Sequence, residues 1–287
     1  MEKHFPLNFF DATGMQPHNH NQCLYELFSF EPQRNSLCFS EYYDDKIVTP
    51  QINEKINFLK SLGFLFDNIC EIKCTDYTWS LKYQGTCKKE NIDILINDDT
   101  LVYLLINHIK YKNYLMIDKI SDQVIKYNPL SFRQTDNNIK FTIYDILKKE
   151  IPSKKLYLIG GEMVFFVKLL NPDDFIMYTD FESIYNDSIV NFPDKKEINL
   201  IGYTNCELQI VDTNYQLIAN TSKHGLEKHL CKQILKLKLK NIIIISCNKK
   251  SFVSDYNILK STYKIDKIFD INTNYSVCIY FLKLKSS

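Results

Sequence analysis

Glycine and proline are scarce in this chain, at 7 and 8 of 287 residues, and tryptophan occurs once. So few turn formers exclude collagen-like and Gly- or Pro-rich low-complexity architectures. They also make each glycine that follows an apolar run worth weighing. No apolar run approaches the roughly 18 residues of a membrane-spanning helix, so no integral membrane protein is expected. The start, Met1-Glu2-Lys3-His4, leads into polar residues and reads neither as a secretory signal nor as a transit peptide. The nine cysteines are an odd number without paired spacing, which fits free thiols in a reducing compartment. An intracellular protein, cytoplasmic or nuclear, is therefore expected. Cys70 with Cys74, and His18 with His20, are the nearest approach to ligand pairs. They read better as core thiols and a polar segment, and no metal is expected.

What is plentiful is apolar and aromatic. A hydrophobic content of 45%, with 19 Tyr and 19 Phe, excludes a disordered chain and supports a packed core. Heavy use of Lys, Asn, Ile and Tyr suggests an AT-rich coding genome, in which glycines and prolines of older motifs drift to Asn, Lys or Ile. The formal charge of +1 is unevenly spread. From Thr221 to the end, 13 Lys stand against one Glu and three Asp, a net of +9, which leaves −8 on the first 220 residues. Such asymmetry points to an anionic partner, nucleic acid being the commonest; a solvated lysine face is the other reading.

Patterning divides the chain at residues 128 and 129. In the first part, Ile52 to Leu62 has helical apolar spacing and meets Gly63, a stop signal. Tyr77 to Tyr83 alternates as a half-buried strand should, and Leu101 to Ile109 fits strand or helix. This N-terminal segment reads as a smaller α+β accessory or substrate region. From 129 onward strands and helices alternate: strands at Leu156–Ile159, Phe175–Tyr178, Ile198–Ile201, Leu208–Val211 with Leu217–Ala219, and Ile242–Ile245. Helices are expected at Met163–Leu170, Phe181–Ile189, Gly225–Leu237 and Ser251–Leu259. Four consecutive isoleucines at 242–245 mark a strand buried on both faces. Ile265–Ile271 and Val277–Leu284, joined by a short turn, end the chain as an antiparallel hairpin. An α/β, mostly parallel sheet with that ending is the layout of a class I AdoMet-dependent methyltransferase (Rossmann-like) domain.

Four segments carry a closer resemblance. They are Asn128-Pro129-Leu130-Ser131-Phe132-Arg133-Gln134; Tyr157-Leu158-Ile159-Gly160-Gly161-Glu162; Asn220-Thr221-Ser222-Lys223-His224-Gly225-Leu226; and Ser246-Cys247-Asn248 after the isoleucine strand. In order and spacing the chain resembles the RNA (uracil-C5)-methyltransferase family, the tRNA and rRNA 5-methyluridine methyltransferases. The likeness covers residues 129–287 and, more faintly, 40–128. It implies S-adenosyl-L-methionine as cofactor, held by Gln134, Gly160, Gly161 and an acid after the next strand, Asp180 or Glu182. A glycine turn lets backbone approach such a ligand, and a helix N-terminus suits its carboxylate. The resemblance further implies a target base held by Asn220 and Lys223, an RNA partner, most often tRNA, and Cys247 as the nucleophile that adds to C6 of uracil. A sulfur nucleophile at a strand end before a helix N-terminus is electrostatically well placed.

The chain also departs from the pattern. Glu162 stands where a second glycine is expected, and a carboxylate there is expected to repel that of the cofactor. Asn220 replaces an Asp, two prolines of its loop are gone, and Lys249 replaces a proline after Ser246-Cys247-Asn248. Val277, directly before Cys278, occupies the place of the family's glutamate base, with Asp270 the nearest carboxylate. Two functions are therefore open: an RNA methyltransferase forming 5-methyluridine through a cysteine adduct, or a catalytically inactive RNA-binding or scaffold protein that keeps the fold.

Overall fold

Strands that are apolar at every position need cover on both faces, and alternate side chains must enter different cores. In the computed structural model Ile243 and Ile245 enter one core while Ile242 and Ile244 enter the other. The structure describes residues 23–285, apart from 35, 39–45, 47, 121, 152–153, 201–206, 209–212 and 274–275. His18 and His20 lie outside the described residues.

The first part contains β1 (Leu24–Ser29), β2 (Ser36–Cys38), α1 (Pro50–Ser61), β3 (Ile69–Cys74), β4 (Trp79–Tyr83), α2 (Lys89–Ile96), β5 (Leu101–Ile106) and β6 (Ile109–Asn113). A hairpin of β7 (Met116–Ile120) and β8 (Gln123–Tyr127) leads into α3 (Asn137–Glu150). Then follow β9 (Lys155–Gly160), α4 (Met163–Leu170), β10 (Asp174–Thr179), α5 (Glu182–Asn191), β11 (Ile198–Leu200) and β12 (Gln216–Asn220). The chain continues with α6 (Glu227–Leu237), β13 (Asn241–Ser246), α7 (Lys249–Leu259), β14 (Tyr263–Asn272) and β15 (Ser276–Leu284).

Eight strands form the large sheet in the order β1-β14-β15-β13-β12-β9-β10-β11. All neighbours are parallel except β15, which runs antiparallel to both β13 and β14. The expected mostly parallel sheet with its closing hairpin is present. One face, with Leu156, Leu158, Phe175 and Met177, packs under α3, α4 and the β7–β8 hairpin. The opposite face, with Tyr157, Ile159, Ile176 and Tyr178, is covered by α6 through Leu230 and Ile234 and by α7 through Phe252 and Leu259.

A second sheet, β2-β3-β4-β5-β6, encloses its own core with α1, whose Ile52, Ile56 and Leu59 meet Trp79 and Leu81 there. Gly63 ends α1 as expected, with φ +79 and the Phe64 amide donating to Leu59. Residues 101–109 resolve the strand-or-helix alternative as β5, a turn at Asn107 and His108, and the start of β6. In the expected fourth strand region Leu208 belongs to no strand, Val211 lies outside the described residues, and the strand is Gln216–Asn220. Residues 24–29 form an edge strand of the large sheet beside β14, so pairing in that sheet also draws on residues before 128.

Candidate active site at the carboxyl ends of the strands

The large sheet is wound in two directions from β9, with β10 on one side and β12 on the other. Such a switch point opens a crevice beyond the carboxyl ends of the strands, where open α/β sheets bind ligands. The register lines up residues distant in sequence along this edge. Gly160 of β9 lies opposite Asn220 of β12, and Asn220 opposite Ile245 of β13. The next residue of β13, Ser246, faces Cys278 of β15, and Cys278 faces Asp270 of β14.

Gly160 has φ +98, a conformation that needs glycine, and Gly161 follows it into a two-way bond with β12. The Gly161 amide donates to the Asn220 carbonyl at 3.1 Å, and Asn220 Nδ2 donates to the Gly161 carbonyl at 3.2 Å. A Cβ on Gly161 would stand 3.1 Å from the Phe132 ring, so the segment carrying Gln134 lies directly against the glycine turn. Asn220 thus spends one amide hydrogen on the turn and keeps Oδ1 as an acceptor.

Glu162 does not meet the expectation of a carboxylate directed at a cofactor. It holds the left-handed conformation (φ +56) and is only 4% exposed. Its Oε1 accepts the backbone amide of Gln134 at 2.8 Å. Burial raises its pKa, against the opposing pull of the Gln134 amide, Arg133 and Lys140. Arg133 is itself stacked between Tyr127, at 4.0 Å, and Phe165, at 4.2 Å, and pairs with Asp118 of β7. Gln134 Oε1 accepts the Asp136 amide, and Asp136 caps α3 by accepting from Asn138 and Ile139. The glycine turn, Gln134 and the start of α3 are therefore one hydrogen-bonded unit.

Cys247 is exposed, between the last residue of β13 and Asn248, the N-cap of α7. Asn248 Oδ1 accepts the Lys250 amide, and its Nδ2 donates to the Lys223 carbonyl at 2.9 Å. The Ser-Cys-Asn turn is thereby tied to the loop 220–225. A second tie comes from Asp255 of α7, which accepts the Leu226 amide at 2.8 Å. Gly225 (φ +83) is required there, since a Cβ would approach Asp255 Oδ2 to 2.5 Å. Burial pushes Asp255 up to about 6.

At the end of the register row Asp270 is 2% exposed and accepts from Lys249 Nζ (2.7 Å), Tyr25 of β1 (2.7 Å), Ser276 (3.0 Å) and Cys278 (3.2 Å). Burial pulls its pKa upward, but the hydrogen bonds from Lys249, Tyr25 and Cys278 outweigh it and hold the carboxyl below its usual value. Burial, with Asp270 beside it, pushes the Cys278 thiol up to about 12. Val277 is a buried apolar side chain.

The edge row thus joins Gly160, Gly161 and Asn220, and hydrogen bonds attach Gln134, Lys223 and the Cys247 turn to them. Asp180 and Glu182 are exposed at the end of neighbouring β10 and the start of α5. The sequence reading missed Arg133, Asp255 and Tyr25. Asp255 was the most legible, as the one carboxylate of the expected helix Ser251–Leu259 within the basic C-terminal part. Among the described residues no group of three or more metal-ligating side chains occurs, and no helix is long and apolar enough to cross a membrane.

No protein-family model matches the chain, and no curated protein does. Solved structures match it. The tRNA (uracil-54, C5)-methyltransferase of Pyrococcus abyssi, in complex with S-adenosyl-L-homocysteine, is 14% identical over 90% of this chain and 79% of that chain, with a TM-score of 0.66. TYW2 of P. horikoshii, in complex with MeSAdo, is 9% identical over 83% of this chain and 99% of that chain, with a TM-score of 0.50. At these identities the likeness is one of fold, and the fold is that of the class I methyltransferases.

Proposed function

We propose that this protein is an S-adenosyl-L-methionine-dependent RNA methyltransferase that forms 5-methyluridine, most often in tRNA, by way of a Cys247 adduct. The observation that carries the reading is the exposed Cys247 at the crevice edge, bonded through Asn248 to the loop 220–225, with the Gly160-Gly161 turn two strands away. The fold shared with the P. abyssi enzyme, which acts on uracil C5, supports it.

The residues present suit the cofactor. Glu162 is turned toward Gln134, so no carboxylate of the turn opposes that of the ligand. Its side chain makes no cap hydrogen bond with α4, and the glycine turn with that helix start suits an amino-acid carboxylate. Gln134, Gly160 and Gly161 would hold the ligand, and exposed Asp180 would accept from the ribose hydroxyls. The bound cofactor supplies an electrophilic methyl group. Cys247 adds to C6 of the uracil, which makes C5 the nucleophile; Asn220 Oδ1 accepts from the imide N–H, and Lys223 supplies positive charge beside the base.

Release needs removal of the C5 proton, after which the C5–C6 double bond re-forms and the Cys247 thiolate leaves. Val277 brings no base to that step, and Asp270 is engaged with four donors. Turnover on ordinary uridine is therefore slow relative to adduct formation. The test combines calorimetry with S-adenosylmethionine and trapping on a 5-fluorouridine stem-loop, whose C5 fluorine cannot leave as a proton. Wild type is expected to bind the cofactor and form a denaturant-resistant adduct that Cys247→Ser abolishes. RNA binding with neither cofactor heat nor adduct would favour the scaffold reading and sink this one.

A further inference from the structure

We infer that the outward face of α6 is a track for an RNA sugar–phosphate backbone, leading away from the Cys247 turn; the assignment rests on RNA being the substrate. Lys228, Lys232 and Lys236 are exposed and recur every fourth residue. At a rise of about 1.5 Å per residue this places them about 6 Å apart in one row. The row lies opposite the buried Leu230, Cys231, Ile234 and Leu237 that seat the helix on the sheet.

Within the helix only Lys236, in the last turn, has a place that the dipole favours. Like charges four residues apart repel, and Lys228 stands in the first turn, where the helix dipole also disfavours a cation. The aspartates of the basic C-terminal part are engaged elsewhere. Asp255 accepts the Leu226 amide, Asp266 pairs with Lys283, and Asp270 with Lys249. Among the described residues no carboxylate pairs with Lys228, Lys232 or Lys236.

The row is continuous with the candidate site. Exposed Lys223 precedes α6 and bonds through its carbonyl to Asn248, beside Cys247, and exposed Lys250 opens α7. A polyanion whose reacting base sits at Cys247 would find this row on leaving the crevice. No large apolar side chain is exposed on α6, so the row meets phosphates and reads no bases. Position along the strand is set by the site, and affinity by the track.

The test is fluorescence anisotropy with a labelled stem-loop RNA over a series of salt concentrations. It compares wild type, the triple variant Lys228→Gln/Lys232→Gln/Lys236→Gln, and Lys148→Gln/Lys149→Gln, which removes two exposed lysines at the end of α3. Each phosphate contact contributes about 0.7–0.9 to the slope of log affinity against log salt. The triple variant is expected to lower that slope by about 2 and to weaken binding roughly tenfold or more near 0.1 M salt, while the α3 variant follows wild type. Its melting temperature should not fall, because the repulsion within α6 is removed. Wild-type affinity and slope in the triple variant would overturn the track, as would wild type that binds no RNA. A track-dependent wild type that forms no Cys247 adduct leaves the track standing and removes the methyltransferase reading. An adduct with an unaffected triple variant does the reverse.

Discussion

Glu162 offers the sharpest perturbation, because two accounts of it give opposite signs. A residue with a Cβ in the left-handed region costs about 1–2 kcal/mol relative to glycine, yet Glu162 sits there at φ +56. Its compensation is the 2.8 Å bond to the Gln134 amide. Glu162→Ala keeps the backbone strain and leaves that amide without its acceptor, a loss of about 1–3 kcal/mol. Glu162→Gly also loses the bond but recovers about 1 kcal/mol of strain. Glu162→Gln keeps an oxygen acceptor and removes a buried charge. The expected order of stability is wild type close to Gln, then Gly, then Ala. Since Gln134 is placed through this bond, S-adenosylmethionine affinity by calorimetry should fall about 5- to 50-fold in Glu162→Ala, with tenfold corresponding to about 1.4 kcal/mol. If Glu162 instead faced the cofactor's carboxylate, the Gln and Ala variants would both bind more tightly. Tighter binding, or an Ala variant equal to wild type in affinity and melting, refutes the reasoning.

Two further outcomes are expected. Gly225→Ala puts a Cβ 2.5 Å from Asp255 Oδ2 in a left-handed residue, and should cost about 2 kcal/mol or more in urea unfolding, less in an Asp255→Ala background. Burial raises Asp187 from 3.8 to about 6. Between those values the folded protein holds a proton that the unfolded chain releases, so stability falls as pH rises from about 4 to about 6 and the loss stays constant above. Asp187→Asn, which keeps an acceptor for the Asn128 amide, should therefore be more stable than wild type above pH 6, by up to about 3 kcal/mol, and match it near pH 4. A difference that does not change across this range removes Asp187 as its source.

The middle of the large sheet was legible because Leu156–Ile159, Phe175–Tyr178 and Ile242–Ile245 are apolar at every position. Ile242–Ile245 admits little else than a doubly covered strand, and the closing hairpin followed from Ile265–Ile271 and Val277–Leu284 lying too close for a crossover. Gly225-Leu226 and Ser246-Cys247-Asn248 located the loop and the turn. α3 carried readable signals as well, an Asp136 cap and Ile139, Ile143 and Leu147 at helical spacing, although the sequence reading placed no helix there. Other features were not readable for physical reasons. β1 has no local signal of its partner, since β14 lies at the other end of the chain. Glu162 shows the limit most clearly. Its identity suggested repulsion, and only its side-chain direction, set by the Gln134 amide and the Arg133 stack, turned it into an anchor.

The pairing of β1 with β14 has a consequence for how the chain is made. Tyr25 and its acceptor Asp270 are separated by 245 residues, so β1 has no seat until all of them have followed it from the ribosome. The parallel contacts of β1 are among the longest loops the fold closes, and long loops close late. Until then Leu24, Leu27 and Phe28 belong to an unpaired segment available to other edges, including that of a neighbouring nascent chain. Slow translation of the stretch between β1 and β14 would lengthen that exposure. Yield on expression should thus respond to synthesis rate, and a polar replacement of Leu27, which remains 58% exposed after docking, is the mildest way to shorten the hazard.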